Sequence, residues 1–358
     1  MRYLISGGGT GGHIFPAISI ANALCELDKE ADILFVGALG RMEMERVPQA
    51  GYRIEGLPVR GFNRSQPWKN ISVLIDLMRS MLKAKRIIRE FRPDVGVGVG
   101  GYASGAAMKM AAKMHVPIVL QEQNGFAGVT NKLLKDDASV ICVAYENMDR
   151  FFPKDKIILT GNPVRQNLIT GKRTKTGDQK TLLIIGGSLG ARTINEAIAD
   201  GLAQLATAGI DVVWQTGKVY YEECLKVAQP YIQEGWLRCE AFLTDMPTEY
   251  ANADLVISRA GASSISELCL LGKPCILVPS PNVAEDHQTH NAMALVHKEA
   301  AILVRDSEAR KELVTKALQV LNDETQLKSL HSHILTLAQR DSARRIAEEV
   351  IGACLVGV

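Results

Sequence analysis

MRYLISGGGTGGHIFPA, residues 1–17, is the stretch that decides the fold of the first half of the chain. A short apolar run stops at a turn with five glycines in six positions, and His13 and Pro16 follow before a helical pattern begins. This order predicts a buried strand, a tight turn and a helix. Because glycine has no Cβ, a ligand can approach the backbone of such a turn, and the N–H groups at the start of the helix favour an anion.

The same glycine spacing fits G-x-G-x-x-G, the pattern of dinucleotide-binding turns. Such a site needs an acidic residue about 20 positions later, but the second apolar run, residues 33–36, is followed by Gly37-Ala38-Leu39. A P-loop needs Lys and then Ser or Thr after its last glycine, where this chain has His13. The turn therefore binds another kind of anion, or it is a tight turn without a ligand.

The composition is that of a reduced, globular protein with two or three domains. The 358 residues are 47% hydrophobic and 22% charged, and the net charge of +2 argues against a dedicated nucleic-acid binder. The seven cysteines form no C-x-x-C pair, so we expect buried thiols rather than disulfides or a zinc site. No window of about 20 apolar residues predicts a membrane span, so we expect any membrane contact to be peripheral.

Strand-like apolar runs alternate with helical patterns along most of the chain, which is typical of parallel α/β layers. In the first half we predict strands at residues 3–6, 33–36, 95–99, 117–121, 139–143 and 157–160. The predicted helices between them are at 16–28, 40–50, 70–91, 104–114 and 126–135.

The pattern restarts after a polar stretch at residues 170–180. A strand at 181–185, a second glycine turn at 186–190 and a helix from Thr193 repeat the plan of the N-terminus. We therefore predict an α/β fold of two doubly wound, Rossmann-like domains that face each other across a cleft, with ligands beyond the carboxyl ends of the strands. The predicted domains are 1–162 and 163–339, and we expect the final helix, 340–358, to pack back on the first domain.

Polar motifs follow two of the predicted strands. Glu122 and Asn124 could serve as a general base or acceptor-binding carboxylate and as a hydrogen-bonding amide, or they could form a polar loop with a helix cap. Glu267 lies just inside a helix that opens at Gly261, where it could bind the two hydroxyls of a ribose or only compensate the helix dipole.

The segment EDHQTHNA, residues 285–292, follows a further strand. His287 and His290 are three positions apart without a further well-placed ligand, so a metal site is disfavoured. Gln288, with Asp286 nearby, suits recognition of sugar hydroxyls better.

A basic segment with an apolar face spans residues 60–92. Its apolar side chains recur at helical spacing, and a tryptophan precedes them, which suits an anionic membrane surface. The alternative is a helix that packs on the core and has a solvated basic back. The segment includes Trp68, Ile75, Lys83 and Arg86.

Taken together, these motifs resemble the MurG family of bacterial N-acetylglucosaminyltransferases, which has the two-domain GT-B fold. The resemblance runs almost end to end. It is carried by GGTGGH at 8–13, GGYASG at 100–105, EQN at 122–124, GNPVR at 161–165, GGS at 186–188, SSISE at 263–267, and HQ at 287–288 with NA at 291–292.

The resemblance implies an inverting transfer of N-acetylglucosamine (GlcNAc) from UDP-GlcNAc to the 4-hydroxyl of an undecaprenyl-pyrophosphoryl-muramyl-pentapeptide, in peptidoglycan synthesis. It implies no cofactor and no metal, because helix N-termini and backbone amides stabilise the leaving pyrophosphate. It also implies a peripheral location on the cytoplasmic face of the inner membrane, with an anionic lipid surface as partner.

Site roles follow from the same resemblance. His13 is the first choice for the base or for acceptor positioning, and Glu122 is the second. The acceptor and membrane side would use Gly101, Tyr102, Trp68, Ile75, Lys83 and Arg86. The donor side would use Thr10, Gly11, Gly12, Asn124, Arg165, Ser188, Leu243, Ala262, Ser263, Ser264, Ile265, Ser266, Glu267 and Gln288. Among these, Arg165 and Ser188 are expected at the diphosphate, Glu267 at the ribose, the backbone around Leu243 at the uracil, and Gln288 and Asn124 at the GlcNAc.

The chain departs from the family pattern at Gln121, where the family often has His, and at Asp286-His287, where it often has Gln or Arg-Gln. The alternative within enzymes is another GT-B UDP-sugar enzyme, either a lipid glycosyltransferase or a UDP-GlcNAc epimerase. An NAD-binding oxidoreductase and a non-catalytic membrane scaffold are the alternatives from other classes.

Overall fold

The computed structural model describes residues 1–61, 70–164, 166–187 and 189–356. Its contacts divide the chain into two compact units, Met1–Val164 with Arg340–Val358 and Arg165–Gln339. Trp68, Arg165 and Ser188, three of the residues expected at the site, lie outside the described residues.

The first unit is built on a seven-stranded parallel sheet with the order β3-β2-β1-β4-β5-β6-β7. Its strands are β1 Arg2–Ser6, β2 Asp32–Ala38, β3 Arg53–Leu57, β4 Val95–Gly98, β5 Ile118–Glu122, β6 Val140–Val143 and β7 Ile157–Leu159. The register places Ile5 between Phe35 and Val97, and all three side chains are buried. A run that is apolar on both faces is typical of a parallel strand covered by helices on both sides.

Helices cover both faces of this sheet. They are α1 Gly11–Leu27, α2 Glu43–Gln49, α3 Asn70–Phe91, α4 Tyr102–Lys113, α5 Val129–Leu134 and the last helix of the chain, α13 Ser342–Val356. Ile346, Ala347 and Val350 of α13 are buried in the same core cluster as Ile14 and Ile20 of α1.

The second unit repeats this plan with a six-stranded parallel sheet, order β10-β9-β8-β11-β12-β13. Its strands are β8 Thr181–Ile185, β9 Asp211–Gln215, β10 Leu237–Glu240, β11 Leu255–Ser258, β12 Cys275–Leu277 and β13 Ile302–Leu303. Its helices are α6 Arg192–Ala206, α7 Tyr221–Gln233, α8 Met246–Asn252, α9 Ala262–Leu271, α10 His287–Val296, α11 Ala309–Asn322 and α12 Glu324–Leu335. In both sheets the order reverses beside the first strand, which is where doubly wound folds bind ligands. The predicted fold class is confirmed.

Two local predictions were wrong. Strand β3 was missed, because Arg53 and Glu55 interrupt its apolar residues and only Gly56 and Leu57 are buried in this edge strand. Helix α1 begins at Gly11 instead of near Pro16. The carbonyl of Thr10 accepts the N–H groups of His13 and Ile14 at 3.1 and 3.2 Å, so the chain is helical before the proline is reached.

The cysteines are free thiols, as the sequence predicts. Five of the seven are buried, and burial raises the pKa of the Cys224 thiol to about 11.

Candidate active site

The N-terminal glycine turn lies over a buried carboxylate. Glu43, in the first turn of α2, is completely buried and accepts the N–H groups of Gly9 and Ala38, each at 3.0 Å. A Cβ on Gly8 would overlap this carboxylate, and a Cβ on Gly37 would overlap the side chain of the same glutamate. Two glycines therefore make room for Glu43, a role that does not involve a ligand.

His13 lies in the first turn of α1 and is turned back onto the glycine loop. Its Nδ1 is 3.1 Å from the carbonyl oxygen of Gly8 and 3.2 Å from the hydroxyl of Thr10. Its Nε2 faces the second glycine pair of this unit, because a Cβ on Gly100 would lie 2.9 Å from that nitrogen. The first glycine turn and the turn after β4 thus meet around the imidazole.

The expected donor-side residues of the first turn lie at its rim. Thr10 precedes α1 in an extended conformation and is exposed. Gly11 and Gly12 begin the helix, and Gly12 is exposed as well. The structure therefore brings Thr10, Gly11 and Gly12 together with His13.

Glu122, at the end of β5, is 2% exposed and holds the loop that follows it. Its carboxylate accepts the N–H of Gly128 at 3.0 Å, the side-chain amide of Asn131 at 2.9 Å and the N–H of Asn124 at 3.1 Å. Burial raises the pKa of the Glu122 carboxyl, and these hydrogen bonds act in the opposite direction. The Glu122 carboxylate therefore fixes the loop that carries Asn124. Its burial and hydrogen bonds suit this positioning role better than the role of a base that faces the solvent.

Gly101 and Tyr102 form the turn before α4. Gly101 has φ +90, and a Cβ there would lie 2.6 Å from the carbonyl oxygen of Gly8, so this position requires glycine. The ring of Tyr102 is 56% exposed and lies beside Gly61. Tyr102 is thus an accessible aromatic side chain next to the His13 region.

The second glycine turn opens onto a cavity of 480 Å³ in the second unit. The cavity lies beyond the carboxyl ends of β8, β11 and β12, and its volume is typical of a small-molecule site. Its lining residues include Gly186, Gly187, Gly190, Gly261, Ser264 and Gln288. The donor-side glycine turn and the start of α9 are therefore brought together.

The start of α9 presents N–H groups to this region, and its residues have different environments. Ser264 lines the cavity, while Ile265 is buried and donates its N–H to Gly261. The hydroxyl of Ser266 donates to the carbonyl of Ala262 at 2.9 Å. In the first turn of α9, the side chains of Ala262, Ser263 and Ser264 are therefore half-buried, whereas that of Ile265 is buried.

The other donor-side residues are held by defined partners. Glu267 accepts a hydrogen bond from the hydroxyl of Tyr250 at 3.0 Å. Leu243 donates its N–H to Gln215 at 3.0 Å, and the amide of Gln215 donates to Gly187 at 3.3 Å. Gln288 accepts the N–H of Ser280 at 2.9 Å, which directs its side chain to the cavity that it lines.

Sequence reasoning missed an ion pair in the cavity wall. The guanidinium of Arg259 pairs with Asp306 and donates to the carbonyls of Val278 and Pro279 at 3.1 and 3.2 Å. Asp306 also accepts the hydroxyl of Thr193 at 2.9 Å. The position of Arg259 directly after β11 was the one available signal; nothing in the sequence connects it to Asp306, 47 residues later.

Helix α3 has a mixed surface. Ala84, Ile87 and Ile88 pack into the core of the first unit. The outer surface carries four exposed apolar side chains, which are 47–68% exposed: Leu74, Ile75, Met78 and Leu82.

The two basic residues expected on this surface are both in ion pairs. Lys83 donates to the carbonyl of Gly56 at 2.8 Å and pairs with Glu55 at 3.7 Å. Arg86 pairs with Glu90 at 2.7 Å. In the part of the chain that the structure describes, no helix combines the length and apolarity needed to cross a bilayer.

The histidines of α10 lie in a segment with unusual backbone geometry. Glu285 and Asp286, just before His287, both have positive φ values, 54 and 50. Within the described ranges, no group of three or more His, Cys, Asp or Glu side chains is arranged to hold a metal ion.

The fold and these two glycine-built sites define a glycosyltransferase of the GT-B class. Residues 3–142 match the model of the glycosyltransferase family 28 N-terminal domain, and residues 181–349 match that of the family 28 C-terminal domain. The chain belongs to this family.

Curated relatives are similar over nearly the whole chain. A protein of Bacteroides thetaiotaomicron is 58% identical over 361 residues, which cover 98% of this chain and 97% of that protein. A protein of Porphyromonas gingivalis is 51% identical, with 98% and 95% covered. Both are named UDP-N-acetylglucosamine–N-acetylmuramyl-(pentapeptide) pyrophosphoryl-undecaprenol N-acetylglucosamine transferase.

Solved structures agree with this assignment. MurG of Acinetobacter baumannii superposes with a TM-score of 0.83 at 25% identity, and the match covers 98% of this chain and 99% of that one. A UDP-N-acetylglucosamine 2-epimerase superposes with a TM-score of 0.67 at 14% identity, which shows a shared fold alone.

Proposed function

We propose that this chain transfers GlcNAc from UDP-GlcNAc to the lipid-linked N-acetylmuramyl-pentapeptide, which makes the disaccharide precursor of peptidoglycan. The observation that carries the proposal is the 480 Å³ cavity built from a glycine turn and a helix start, in a chain 58% identical to a protein named for this reaction. Such a cavity offers backbone N–H groups to a diphosphate.

The donor binds in the second unit. We assign the diphosphate to the turn at 186–190 and the start of α9, and we expect Ser188 and Arg165 to be further contacts. Glu267 accepts hydrogen bonds from the ribose hydroxyls. Because the N–H of Leu243 is bonded to Gln215, uracil recognition at this residue falls to its carbonyl oxygen.

We assign Gln288 of the second unit to the GlcNAc, and we expect Asn124 of the first unit to contact the same sugar when it is bound. The side-chain NH₂ of Gln288 can donate to a sugar hydroxyl while its oxygen accepts from Ser280. Glu122 fixes the loop of Asn124 through the hydrogen bonds described above, so we assign it a positioning role. We also assign Thr10, Gly11 and Gly12 to contacts with the transferred sugar.

The reaction is a single displacement at the anomeric carbon. The 4-hydroxyl of the muramyl sugar attacks from the face opposite UDP, the new C–O bond forms and the bond to the diphosphate breaks, which inverts the configuration. His13 takes the proton of the attacking hydroxyl at Nε2. The N–H groups of the glycine turn and of α9 stabilise the charge on the departing UDP, so no metal is needed.

The first unit binds the acceptor and the membrane. Gly101 and Tyr102 lie beside His13 and contact the acceptor. The exposed apolar side chains of α3, including Ile75, enter an anionic lipid surface at the cytoplasmic face. We assign Trp68, Lys83 and Arg86 to the same membrane contact. A lipid-linked acceptor requires such contact because its reactive sugar stays near the membrane.

The test is release of UDP by the purified chain in the presence and absence of a lipid-linked muramyl-pentapeptide. We expect turnover only with this acceptor, and we expect it to persist in EDTA. Turnover of UDP-GlcNAc without the acceptor, as in an epimerase or hydrolase, would overturn the proposal.

A further inference from the structure

A buried acid underneath the first glycine turn has no role in the reaction as described so far. Glu43 has no exposed surface, and its two carboxylate oxygens accept one backbone N–H each, from Gly9 and from Ala38. Burial of a carboxylate has a large desolvation cost unless hydrogen bonds compensate it. A turn that only needed to be tight could be built without this cost.

The contacts of Glu43 and of His13 meet at one peptide group. The peptide between Gly8 and Gly9 donates its N–H to Glu43 at 3.0 Å, and its carbonyl oxygen lies 3.1 Å from Nδ1 of His13. One continuous chain of hydrogen bonds therefore runs from the Glu43 carboxylate through the N–H and C=O of this peptide to the imidazole of His13. Hydrogen bonds in such a chain polarise one another, so the carboxylate makes the Gly8 oxygen a stronger acceptor.

This arrangement determines which imidazole nitrogen carries the proton. A backbone carbonyl can only accept, so a hydrogen bond to the Gly8 oxygen requires the proton on Nδ1 of neutral His13. The hydroxyl of Thr10, 3.2 Å from the same Nδ1, can act as a second acceptor. The lone pair is then on Nε2, the nitrogen that faces the Gly100 turn.

We propose that Glu43 is a positioning residue that acts on His13 through the peptide between Gly8 and Gly9. It holds the imidazole in the Nδ1–H tautomer and makes Nε2 the basic nitrogen. In Ser-His-Asp sites a buried carboxylate orients the histidine directly; here one peptide group lies between them. The catalytic part of this inference rests on the proposed role of His13 as the base.

The glycines around the peptide support the inference. A side chain on Gly8 would displace the carboxylate, and one on Gly101 would reach the Gly8 oxygen, as its Cβ alone would lie at 2.6 Å. The peptide is therefore enclosed from both sides by positions at which only glycine fits, which keeps its two hydrogen bonds in place.

The direct test is the tautomer of His13, measured by NMR on the full chain with ¹⁵N-labelled histidine and assigned with His13→Ala. In the unmutated chain we expect the neutral ring to carry its proton on Nδ1. Finding it on Nε2 would overturn the inference without any Glu43 variant, so the test does not depend on a variant that folds.

Glu43→Gln is the matched variant, because it keeps the shape, removes the charge and leaves one acceptor oxygen for the two N–H groups of Gly9 and Ala38. We expect the Nδ1–H population to fall and kcat to fall about 10- to 100-fold, the range known for loss of a partner that orients a metal-binding histidine. The KM for UDP-GlcNAc should stay within about twofold. Glu43→Asp, which keeps the charge, should recover part of the kcat. The control is Asp94→Asn, which removes a carboxylate that accepts the N–H of Arg2 at 2.7 Å at the other end of β1.

An unchanged tautomer in folded Glu43→Gln overturns the inference, and so does a changed tautomer with unchanged kcat. Failure of the proposed function would be seen differently, as normal turnover of His13→Ala or as the absence of acceptor-dependent transfer. In either case the tautomer of His13 still shows whether Glu43 acts on it.

Discussion

The two glycine turns of the chain have similar sequences and opposite surroundings. In the first unit the turn lies on a buried carboxylate, which occupies the N–H of Gly9. In the second unit the neighbouring strand β9 supplies a neutral side chain, Gln215, which donates to the carbonyl of Gly187. The second turn lines a 480 Å³ cavity, whereas the first turn encloses His13.

The difference separates two tasks that the sequence motif does not distinguish. A negative charge under the first turn opposes a second anion there, and one of its N–H donors is already used. A neutral partner under the second turn leaves the local potential favourable for a diphosphate. In the proposed function, the first turn accordingly serves His13 and the transferred sugar, and the second turn serves the diphosphate of the donor.

The largest effect is expected from removing His13. If His13 is the base, His13→Ala lowers kcat by about 10²–10⁴-fold, which is the usual contribution of a general base. The affinity for UDP-GlcNAc should stay almost unchanged. Steady-state UDP release and calorimetric titration measure the two quantities. A loss of affinity as large as the loss of turnover would show that His13 itself binds the donor and would contradict its role as the base.

A smaller effect is expected at Glu267, where the substitution should change KM and not kcat. Glu267→Gln removes a charged acceptor from the ribose and should raise the KM for UDP-GlcNAc about 10- to 100-fold, because hydrogen bonds to charged groups contribute about 1.5–3 kcal/mol. Glu222→Gln, which changes a glutamate in the first turn of α7 of the same unit, is the control and should behave like the unmutated chain. An effect on kcat alone would contradict the assignment.

The sequence predicts the two glycine turns, but it does not predict the side chains that surround them. The two turns, β8 at 181–185 and the fold class followed from local patterns, because apolar runs and glycines are adjacent in the sequence. Glu43 did not, because its partner Gly9 is 34 positions away and a single acid in an amphipathic helix resembles any solvated residue. The pairing of Arg259 with Asp306 escaped prediction for the same reason: it depends on tertiary contact alone.

An alanine is expected to destabilise the protein more in the first glycine turn than in the second. Gly8→Ala places a Cβ in the space of the Glu43 carboxylate and should lower the free energy of unfolding by about 1–3 kcal/mol, the usual cost of overpacking. Gly187→Ala is the comparison in the second turn, because nothing lies within 4 Å of its Cβ position, so only the strain of its φ of +81 remains.

Urea denaturation measures both variants. The double variant Gly8→Ala with Glu43→Ala should be less destabilised than the sum of the single changes, because the overlap is gone. Strict additivity would contradict the contact between Gly8 and Glu43.

Within the first unit, helix α3 is expected to bind membranes more strongly than the other exposed apolar surface. Changing Met78 and Leu82 of α3 to Ser together removes exposed apolar surface and should weaken binding to vesicles containing anionic lipid by roughly tenfold or more. Leu133→Ser is the control, because this side chain of α5 is 74% exposed and lies on another helix of the same unit. Equal flotation of the double variant and the control would reject α3 as the membrane surface.

The smallest effect is expected at Tyr250, which donates to Glu267. Tyr250→Phe removes one hydrogen bond of about 0.5–1.5 kcal/mol and should raise the KM for UDP-GlcNAc a few-fold. With a 2′-deoxyribose donor the change should shrink, because the ribose contact is then already weakened. An equal change with both donors would show that Tyr250 supports the fold and does not position Glu267.

The separation of tasks is tested most directly by NMR of the full chain with ¹⁵N-labelled glycine during titration with UDP. We expect large shifts of the amides of Gly186, Gly187 and Gly190, which line the cavity, and small shifts of those of Gly8 and Gly9. Shifts of equal size at the two turns, or larger ones at Gly8 and Gly9, would contradict the account.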